Sequence, residues 1–389
     1  MVTEPADADQ LARALHAAAS AGVAVIPRGG GTKLGWGNAP TRADLIISTA
    51  RMNGILEHAW ADMTATVEAG CTVSQLQSAL AQHGQRLAID PLWPERATIG
   101  GILATNDSGP LRVRYGSLRD LIIGVTIALP DGTLARSGGK VVKNVAGYDL
   151  PKLATGSFGT LGIITQAIFR LYPLPKNSRT ITFTGGTTEA LNQLLLSILD
   201  SQLAFSSLQM RVAKSGSLLD VRFDGTSAGI DTQLATVRQL ALNAREAGDS
   251  QDVWTASQSL WDSNPNAVMA KLSVLPANIH SFAAVAQRAC DAAGFRWVMI
   301  AQGVGTGWLQ MEAVSGSPTS DAVANAVRAI REELSKIGGF LTVYGCPAGL
   351  KSKLDVWGPI GDAQGLMRRV KTQFDPAGVL NPGRFIGGL

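Results

Sequence analysis

Three consecutive glycines directly after a predicted buried strand constrain this chain most. Val23 to Ile26 is predicted to form the strand, and Pro27 leads from it into the glycine segment. Glycine has no side chain to cover its backbone N–H, so such a segment can form an anion-binding nest, to which the basic residues at its ends would add positive charge. A flexible turn is the alternative. The segment consists of Arg28, Gly29, Gly30, Gly31, Thr32 and Lys33.

A second segment rich in small and polar residues lies between two apolar blocks. Its hydroxyl and amide groups offer hydrogen bonds, and its glycines allow close approach of another backbone or a ligand. Because Pro, Gly, Asn and Asp are frequent over residues 90–116, we predict a loop there, with a helix-capping role as the alternative. The residues of interest are Thr98, Ile99, Gly100, Gly101, Thr105, Asn106 and Gly109.

Glycines spaced three residues apart form a third segment, at positions 156, 159 and 162. They follow a predicted helix over residues 149–154 and precede a predicted strand over residues 163–171. The Rossmann fingerprint has the opposite order, in which a strand leads through the glycines into a helix. The order of elements therefore argues against a nicotinamide Rossmann site.

The pattern of the chain changes after Pro175. Beyond this residue, the order strand, helix, two hairpin strands and helix occurs twice, with predicted strands at 180–184 and 268–275 opening the two repeats. The last helix of the first repeat is predicted over residues 230–247, and a final strand over residues 341–344. Two β-α-β-β-α repeats predict a doubled ferredoxin-like domain, in which helices cover one antiparallel sheet.

Composition argues against several classes of function. The 34 Lys and Arg residues barely exceed the 30 Asp and Glu residues, and no basic run is present, so we expect no nucleic-acid partner. The three cysteines form no CxxC pair and the four histidines no metal-ligand spacing, so we expect no metal or iron–sulfur cluster in this chain. No apolar run is long enough for a transmembrane segment, and the acidic N-terminus is unlike a signal peptide.

Taken together and in this order, the glycine-rich segments resemble those of the vanillyl-alcohol-oxidase-type (PCMH-type) FAD-binding flavoproteins. Within that family, the chain is similar to the FAD-binding subunits of bacterial glycolate oxidases. The resemblance is strong over residues 1–175 and at the C-terminal residues, and it holds only in outline between them. Its remaining motifs are Arg114–Asp120, Lys143–Leu150, Gly156–Thr165 and Phe374–Gly383.

The resemblance implies an α+β fold with three parts. Residues 1–175 would form a PCMH-type FAD-binding domain of two subdomains. Residues 176–360 would form a ferredoxin-like cap or substrate domain with a doubled antiparallel sheet, and residues 361–389 would return to the FAD-binding domain.

The resemblance also implies which residues bind FAD. Residues 28–33 and 97–106 would hold the pyrophosphate, since backbone N–H groups neutralise phosphates without bulky side chains. A Gly30→Asp substitution is then expected to abolish flavin binding while the fold survives. For Lys143 and Tyr148, packing between the subdomains is at least as good an explanation as direct contact with FAD. The residues expected along the ribityl chain and the flavin ring, or closing over the cofactor, are Gly109, Gly159, Gly162, Ile163, Ile164 and Asn381.

Two departures from the family pattern bear on the chemistry. Relatives that attach FAD covalently carry a histidine where this chain has Thr32, so we expect noncovalent FAD. Catalytic 2-hydroxy-acid members carry an H-x-G-D-G-N-x-H motif in the second domain, where this chain has only His280. The catalytic residues therefore remain unassigned, with Arg211, Tyr344 and Lys351 as candidates by residue type alone.

The family resemblance implies a function for the chain as part of an assembly. The expected function is that of the FAD-binding subunit of a glycolate oxidase complex, which would also contain a catalytic flavoprotein subunit and an iron–sulfur subunit. Its substrate would be a small 2-hydroxy acid, and glycolate would be oxidised to glyoxylate. A self-sufficient FAD-linked oxidase or dehydrogenase of another 2-hydroxy acid, such as D-lactate, is the first alternative. A structural subunit with a vestigial flavin site is the second. Because cysteines are sparse, we expect a location in the reducing cytoplasm. Partner subunits could in addition attach the chain peripherally to the inner membrane.

Overall fold

The computed structural model describes residues 1–140, 148–242, 244–248, 250–351 and 353–389. The chain divides into two units, of which the first comprises Met1–Gly109, Tyr115–Leu174 and Pro359–Leu389. The second unit comprises Pro110–Arg114 and Pro175–Gly358. Most of the motif that begins at Lys143 lies outside the described residues.

A small parallel sheet opens the first unit, with the strand order β1-β3-β2. Asp7 caps the first helix, because its carboxylate accepts a hydrogen bond of 2.7 Å from the backbone N–H of Gln10. The helix packs Leu11 and Leu15 against the sheet. The glycine triplet follows directly where the second strand ends. These elements are β1 (Val2–Thr3), α1 (Ala8–Ser20), β2 (Val25–Arg28) and β3 (Leu45–Ser48).

An antiparallel sheet of five strands, in the order β4-β5-β9-β7-β8, forms the rest of the first unit together with helices. Its core contains Leu76 of the second helix, Ile102 of the third, and Val67 and Phe169 of the sheet. The short strands β6 and β10 pair separately. The elements are β4 (Ile55–Ala59), β5 (Thr64–Glu68), α2 (Val73–Ala81), β6 (Gln85–Arg86), α3 (Ile99–Thr105), α4 (Arg112–Tyr115), α5 (Leu118–Leu121), β7 (Ile122–Ala128), β8 (Leu134–Gly138), α6 (Leu150–Ala154), β9 (Ile163–Arg170) and β10 (Tyr172–Pro173).

The loop predicted over residues 90–116 contains two helices, α3 and α4, so that part of the prediction is wrong. Thr98 caps α3, and its Oγ1 accepts a hydrogen bond of 3.3 Å from the backbone N–H of Gly101. Glycines lower helix propensity, which is why the local sequence favours a loop. Burial of Ile99, Ile102 and Leu103 in the core outweighs that preference.

One antiparallel sheet of eight strands forms the second unit, in the order β14-β11-β13-β12-β16-β17-β15-β18. Its two β-α-β-β-α repeats confirm the predicted α+β fold with a doubled ferredoxin-like sheet. The elements are β11 (Asn177–Thr184), α7 (Thr188–Leu199), β12 (Phe205–Ala213), β13 (Gly216–Gly225), α8 (Ser227–Leu240), β14 (Arg245–Gly248), α9 (Ala256–Ser263), β15 (Val268–Ser273), α10 (Ile279–Ala293), β16 (Phe295–Gln302), β17 (Thr306–Ala313), α11 (Ser320–Ser335), β18 (Phe340–Gly345) and α12 (Ala348–Lys351).

The helix predicted over residues 230–247 is too long at its C-terminal end. Its buried face ends at Val237, and the helix itself ends at Leu240. Residues 245–248 instead form β14, which pairs with the edge of β11. All four residues of β14 are exposed, so they carry no apolar alternation by which a sequence pattern would indicate a strand.

The C-terminal segment, with α13 (Gln364–Phe374), belongs to the first unit. Leu380 forms a parallel bridge with Val25, and the backbone N–H of Asn381 donates to the carbonyl oxygen of Val25 at 2.9 Å. The chain thereby places Asn381 beside the strand that leads into the glycine triplet. In the described parts of the chain, no helix is both long and apolar enough to cross a membrane.

Candidate cofactor site

A cleft with a volume of about 750 Å³ lies in the first unit, where the glycine segments meet. It is lined by the loop after β2, by α3, by the start of β9 and by the C-terminal segment. Fifteen of the residues predicted from the sequence line it, although they lie far apart in the chain. They are Arg28, Gly29, Gly30, Gly31, Thr32, Lys33, Thr98, Gly100, Gly101, Thr105, Gly159, Gly162, Ile163, Ile164 and Asn381.

Three predicted residues do not line this cleft. Ile99 is fully buried in the apolar core. Asn106 ends α3 in the left-handed conformation, with φ at 47°. Gly109 lies against Asp90, since a Cβ at position 109 would come within 2.2 Å of the Asp90 carbonyl oxygen. The structure thus gives each of the three a role in packing or in the local fold.

The glycine triplet packs tightly against the segment before α3. A Cβ at position 29 would lie 2.1 Å from Thr98 Oγ1, and a Cβ at position 30 would lie 1.8 Å from the Arg96 carbonyl oxygen. Gly31 has a φ of +74°, which residues with side chains rarely adopt. The first two glycines are therefore required by backbone packing, and the third by its conformation.

This packing corrects the expectation for Gly30→Asp. Any side chain at position 30 collides with the Arg96 backbone, so the loop itself would have to move. Loss of flavin binding in that variant would not be separable from loss of local structure. Gly101 offers a cleaner position, because its nearest obstacle is Thr98 Oγ1 at 3.2 Å and it lies in α3.

A second wall of the cleft is formed by residues 157–164. Phe158 and Gly159 both have positive φ, at 56° and 67°. Asn381 holds this turn, because its Nδ2 donates to the Phe158 carbonyl oxygen at 2.6 Å. Asn381 is itself buried and left-handed, with φ at 44°. Strained residues of this kind persist where the surrounding structure fixes them, often at ligand sites.

Two of the predicted cations at the cleft are engaged by carboxylates. The Arg28 guanidinium lies 3.5 Å from Glu4 Oε1, and Lys33 Nζ lies 3.1 Å from Asp107 Oδ2. The Lys33–Asp107 pair is buried, and Lys33 Nζ also lies between the rings of Trp36 and Trp93, about 5.5 Å from each centroid. Lys33 therefore connects the glycine loop to the residues on both sides of α3, with Trp93 before the helix and Asp107 after it.

Sequence reasoning missed a third cation, Arg384. It lines the cleft and is only 4% exposed. Its Nε donates to the Trp36 carbonyl oxygen at 3.2 Å, and its Nη2 donates to the carbonyl oxygens of Lys33 and Leu34. The sequence feature that could have indicated Arg384 as a cleft residue is its position directly after the Asn381-Pro382-Gly383 motif.

The candidate residues of the second unit are engaged in local contacts. Arg211 forms a two-point ion pair with buried Asp220, at 2.7 and 2.9 Å. Lys351 donates to the Tyr344 carbonyl oxygen at 3.3 Å. Among the described residues, no group of three or more His, Cys, Asp or Glu side chains is placed to hold a metal ion. None of these contacts assigns a catalytic base.

Two family models match the chain, at its two ends. Residues 1–138 match the FAD binding domain, and residues 360–385 match the FAD linked oxidases, C-terminal domain. Apart from Pro110–Arg114, the two matches lie in the first unit, and both contribute residues to the cleft, while residues 157–164 lie between the two matches. The residues present suit FAD, since five glycines at positions 29–31, 100 and 101 line the cleft together with the buried cations Lys33 and Arg384.

Two proteins with similar sequences are named for the oxidation of a 2-hydroxy acid. The glycolate oxidase subunit GlcD of Bacillus subtilis (strain 168) is 36% identical over 208 residues, which cover 54% of this chain and 44% of that protein. The D-lactate dehydrogenase of Archaeoglobus fulgidus is 35% identical over 189 residues, covering 49% and 42%. The chain thus spans less than half the length of these two relatives.

A longer alignment and the solved structures extend the similarity to nearly the whole chain. The mitochondrial D-lactate dehydrogenase [cytochrome] of Arabidopsis thaliana is 25% identical across 99% of this chain and 73% of that protein. A solved structure of alkyldihydroxyacetonephosphate synthase superposes with a TM-score of 0.74 at 20% identity, covering 98% of this chain and 76% of that one. The chain thus matches the FAD binding domain and the C-terminal domain of the FAD linked oxidases, in a fold that it shares with this synthase, and its cofactor is FAD.

Proposed function

We propose that the chain is the FAD-binding subunit of a multi-subunit glycolate oxidase or dehydrogenase. The observation that carries the proposal is the 36% identity to a glycolate oxidase subunit, in a chain whose glycine cleft is fully formed. In the complete assembly, a catalytic flavoprotein subunit and an iron–sulfur subunit would accompany it. An intact cleft argues against a vestigial flavin site.

Different residues of the cleft would bind different parts of FAD. The pyrophosphate would lie against the glycine triplet and Gly101, where backbone N–H groups and cations are close. Gly159 and residues 162–164 would follow the ribityl chain and the flavin ring, offering backbone groups from the start of β9. Asn381 would close this wall, because it already fixes the Phe158 turn. When bound, FAD would supply the two-electron acceptor that oxidation of the hydroxy-bearing carbon of the substrate requires.

Oxidation of a 2-hydroxy acid makes two further demands on protein side chains. A base must take the hydroxyl proton, and cations must hold the carboxylate. Residues 176–360 contain one histidine, His280, whose backbone N–H donates a hydrogen bond of 2.9 Å to Asn192 Oδ1. The charge of Arg211 is compensated by Asp220. These observations favour partner subunits as the source of the base and the carboxylate clamp.

A second candidate function is self-sufficient oxidation of D-lactate or another 2-hydroxy acid. It is supported by the D-lactate dehydrogenase of Arabidopsis, whose similarity runs across 99% of this chain. Affinity purification of the chain from its source organism distinguishes the two. We expect a second flavoprotein and an iron–sulfur protein to copurify, identified by mass spectrometry and by the visible spectrum. Recovery of the chain alone with full activity would reject the complex.

The bound flavin is expected to be released on denaturation. Thr32 stands where covalently flavinylated relatives carry histidine, and a hydroxyl does not form that bond. Precipitation of the yellow protein with acid or heat should therefore leave all FAD in the supernatant, measured by its absorbance. A precipitate that stays yellow would show a covalent bond and contradict the proposal.

A carboxylate at position 101 should abolish FAD binding. Gly101 lines the cleft, and a Cβ there would lie 3.2 Å from Thr98 Oγ1, a tight contact that a small shift of this side chain relieves, so Gly101→Asp adds a negative charge where the phosphates would lie. At a few ångströms from a phosphate in a partly buried site, repulsion of about 4 kcal/mol corresponds to a loss of FAD affinity on the order of 100- to 1,000-fold. Titration of the apoprotein with FAD, followed by flavin fluorescence, measures the loss.

The matched control for this variant is Gly101→Asn, which has the same shape without the charge. Its affinity should fall much less, and circular dichroism should show both variants folded. Equal losses in the Asp and Asn variants would mean that sterics alone act at this position. Unchanged FAD affinity in both would place the pyrophosphate elsewhere.

A further inference from the structure

A groove with a volume of about 960 Å³ lies in the first unit, apart from the cofactor cleft. Of the described residues, only Ser157 lines both. Helices, turns and the C-terminal residues form the groove, and none of its described lining residues belongs to a strand. Its lining is largely apolar and includes Leu153, Leu161, Leu366, Met367, Val370 and Phe385.

The helix α13 leaves its apolar face uncovered in this groove. Leu366, Met367 and Val370 share one face, because residues three and four positions apart are neighbours on a helix surface. Lys371 is the one buried residue of this helix, and Leu366 is 58% exposed. A helix gains most of its stability from burial of its apolar face. The apolar face of α13 is therefore suited to contact with another molecule.

The short helix α6 adds a second exposed leucine to the same groove. Leu153 is 39% exposed, and it lines the groove together with half-buried Leu161. Exposed apolar side chains that occur singly need no explanation, whereas an apolar groove with a polar rim is typical of a binding surface. Since helices rather than strand edges form the groove, it suits a helix that inserts apolar side chains.

The charged side chains among the described lining residues are all basic, namely Arg119, Lys152 and Lys371. Lys371 is buried beside Asp375 and does not reach solvent. Lys152 forms an exposed pair with Asp149 at 2.7 Å, which is weak and screened by salt. Arg119 is exposed, and its charge helps to lower the pKa of the same Asp149, after the larger effect of Lys152. The rim of the groove therefore has a net positive charge.

Two further cations lie on α13 itself. Arg368 and Arg369 are both exposed and stand between the apolar residues of the helix. A second copy of this chain would bring one basic rim against another, and like charges repel. A lipid bilayer is flat, and amphipathic helices bind it by burying a protruding apolar face, which a groove does not present. A partner with acidic residues beside an apolar face fits both the shape and the charge.

We propose that this groove binds an amphipathic helix of a partner subunit, whose large apolar side chains enter the groove and whose acidic residues face its basic rim. The proposal rests on the proposed function in one respect, namely that the chain works in a complex. It adds the surface of this chain that holds the partner and the chemistry of the segment that binds there.

A photo-crosslinking residue at position 366 identifies the occupant of the groove. The full-length protein with p-benzoylphenylalanine in place of Leu366 is purified with its partners and irradiated, and the crosslinked peptide is sequenced by mass spectrometry. We expect a single segment of a partner subunit, with apolar residues at helical spacing and more Asp and Glu than Lys and Arg. A crosslink to a second copy of this chain, or to no protein, overturns the proposal.

Binding of a synthetic peptide with the sequence of that segment measures the two contributions separately. Leu366→Asp disrupts the apolar contact and Arg119→Glu reverses the rim charge. Leu56→Asp and Arg13→Glu are the matched controls, since Leu56 is 55% exposed and both positions lie in the first unit outside the groove. All variants are compared as FAD-loaded full chains, with circular dichroism and flavin content as checks of folding.

We expect each groove variant to lose at least about 10-fold in affinity for the peptide, while each control stays within about twofold of the wild type. Added salt should weaken binding to the wild type more than to Arg119→Glu, because the rim charge acts through solvent. Equal losses in Leu366→Asp and Leu56→Asp, or an unchanged affinity in Arg119→Glu, would overturn the proposal.

Vesicles test the lipid alternative with the same variants. Phosphatidylglycerol vesicles that sediment the wild type but not Leu366→Asp, with phosphatidylcholine vesicles as the control, would assign the groove to a membrane and reject a partner helix. The proposed function fails by a different result. If the peptide binds as expected but comes from neither a flavoprotein nor an iron–sulfur protein, the groove is right and the glycolate oxidase complex is wrong. If both partners copurify equally with the wild type and Leu366→Asp, the complex is right and the groove is wrong.

Discussion

The isolated chain, loaded with FAD, should be reduced by glycolate at least 100-fold more slowly than the assembled complex. A positioned base and acid contribute about 10²- to 10⁴-fold to such reactions, and residues 176–360 contain a single histidine and no H-x-G-D-G-N-x-H motif. Arg211, a candidate for the carboxylate clamp, is already paired with Asp220. The sequence also lacks the cysteine set that an iron–sulfur relay would need.

Anaerobic bleaching of the flavin absorbance measures this difference directly. Glycolate and D-lactate are tested separately, and dithionite serves as a control that shows the bound flavin can be reduced. Addition of the copurified partners should restore rapid bleaching by glycolate. If the single chain bleaches rapidly with either acid, at the rate of the complex, it is a self-sufficient enzyme, and the preferred substrate is then the faster of the two.

Replacement of Asp375 by alanine should destabilise the protein by about 3–5 kcal/mol, the usual range when one partner of a buried ion pair is removed. Asp375 is 2% exposed, and its Oδ2 lies 2.5 Å from Lys371 Nζ. It also accepts hydrogen bonds from the backbone N–H groups of Val379 and Leu380. The variant therefore leaves a buried ammonium group and two donors without their acceptor.

Comparison with an exposed ion pair shows how much of the loss of stability in Asp375→Ala is due to burial. Glu333 and Lys336 form an ion pair of 2.6 Å on the surface, and Glu333→Ala should cost under about 1 kcal/mol. Urea unfolding of the apoproteins, followed by circular dichroism, gives both values. The double variant K371M/D375V should recover part of the loss, because it removes both buried charges. A loss under about 1 kcal/mol in Asp375→Ala would show that the pair is dispensable.

Burial also affects the charge state of Lys371. Burial lowers the pKa of its ammonium group, and the adjacent Asp375 carboxylate partly offsets this. Its three donated hydrogen bonds, to Asp375 and to the carbonyl oxygens of Thr160 and Leu380, connect α13 with the turn before β9. This contact explains why the C-terminal segment is part of the first unit, which carries the cleft.

The repeated order of elements after residue 175 could be predicted from the sequence because periodicity is a local property. Apolar residues alternate in β12 and β16 and recur every three or four residues in α7 and α10, so the sheet with its helices follows from short windows. Where the local signal is weak, the prediction is wrong. Residues 245–248 have no buried face, and α3 contains two glycines.

The sequence alone determined which segments would be free of bulky side chains, and hence that the glycine loops could meet a phosphate-bearing cofactor. The sequence also showed that the H-x-G-D-G-N-x-H motif is absent from residues 176–360, because this absence depends only on the identity of the residues. Only the tertiary structure decided which groups each cation contacts. Lys33 and Asp107 are 74 positions apart, Arg384 and Lys33 are 351 apart, and each pairing depends on strands and helices brought together from distant parts of the chain. Coulombic and hydrogen-bonding partners act over a few ångströms, so no pattern of neighbours in the sequence reveals which partners each cation has in the fold.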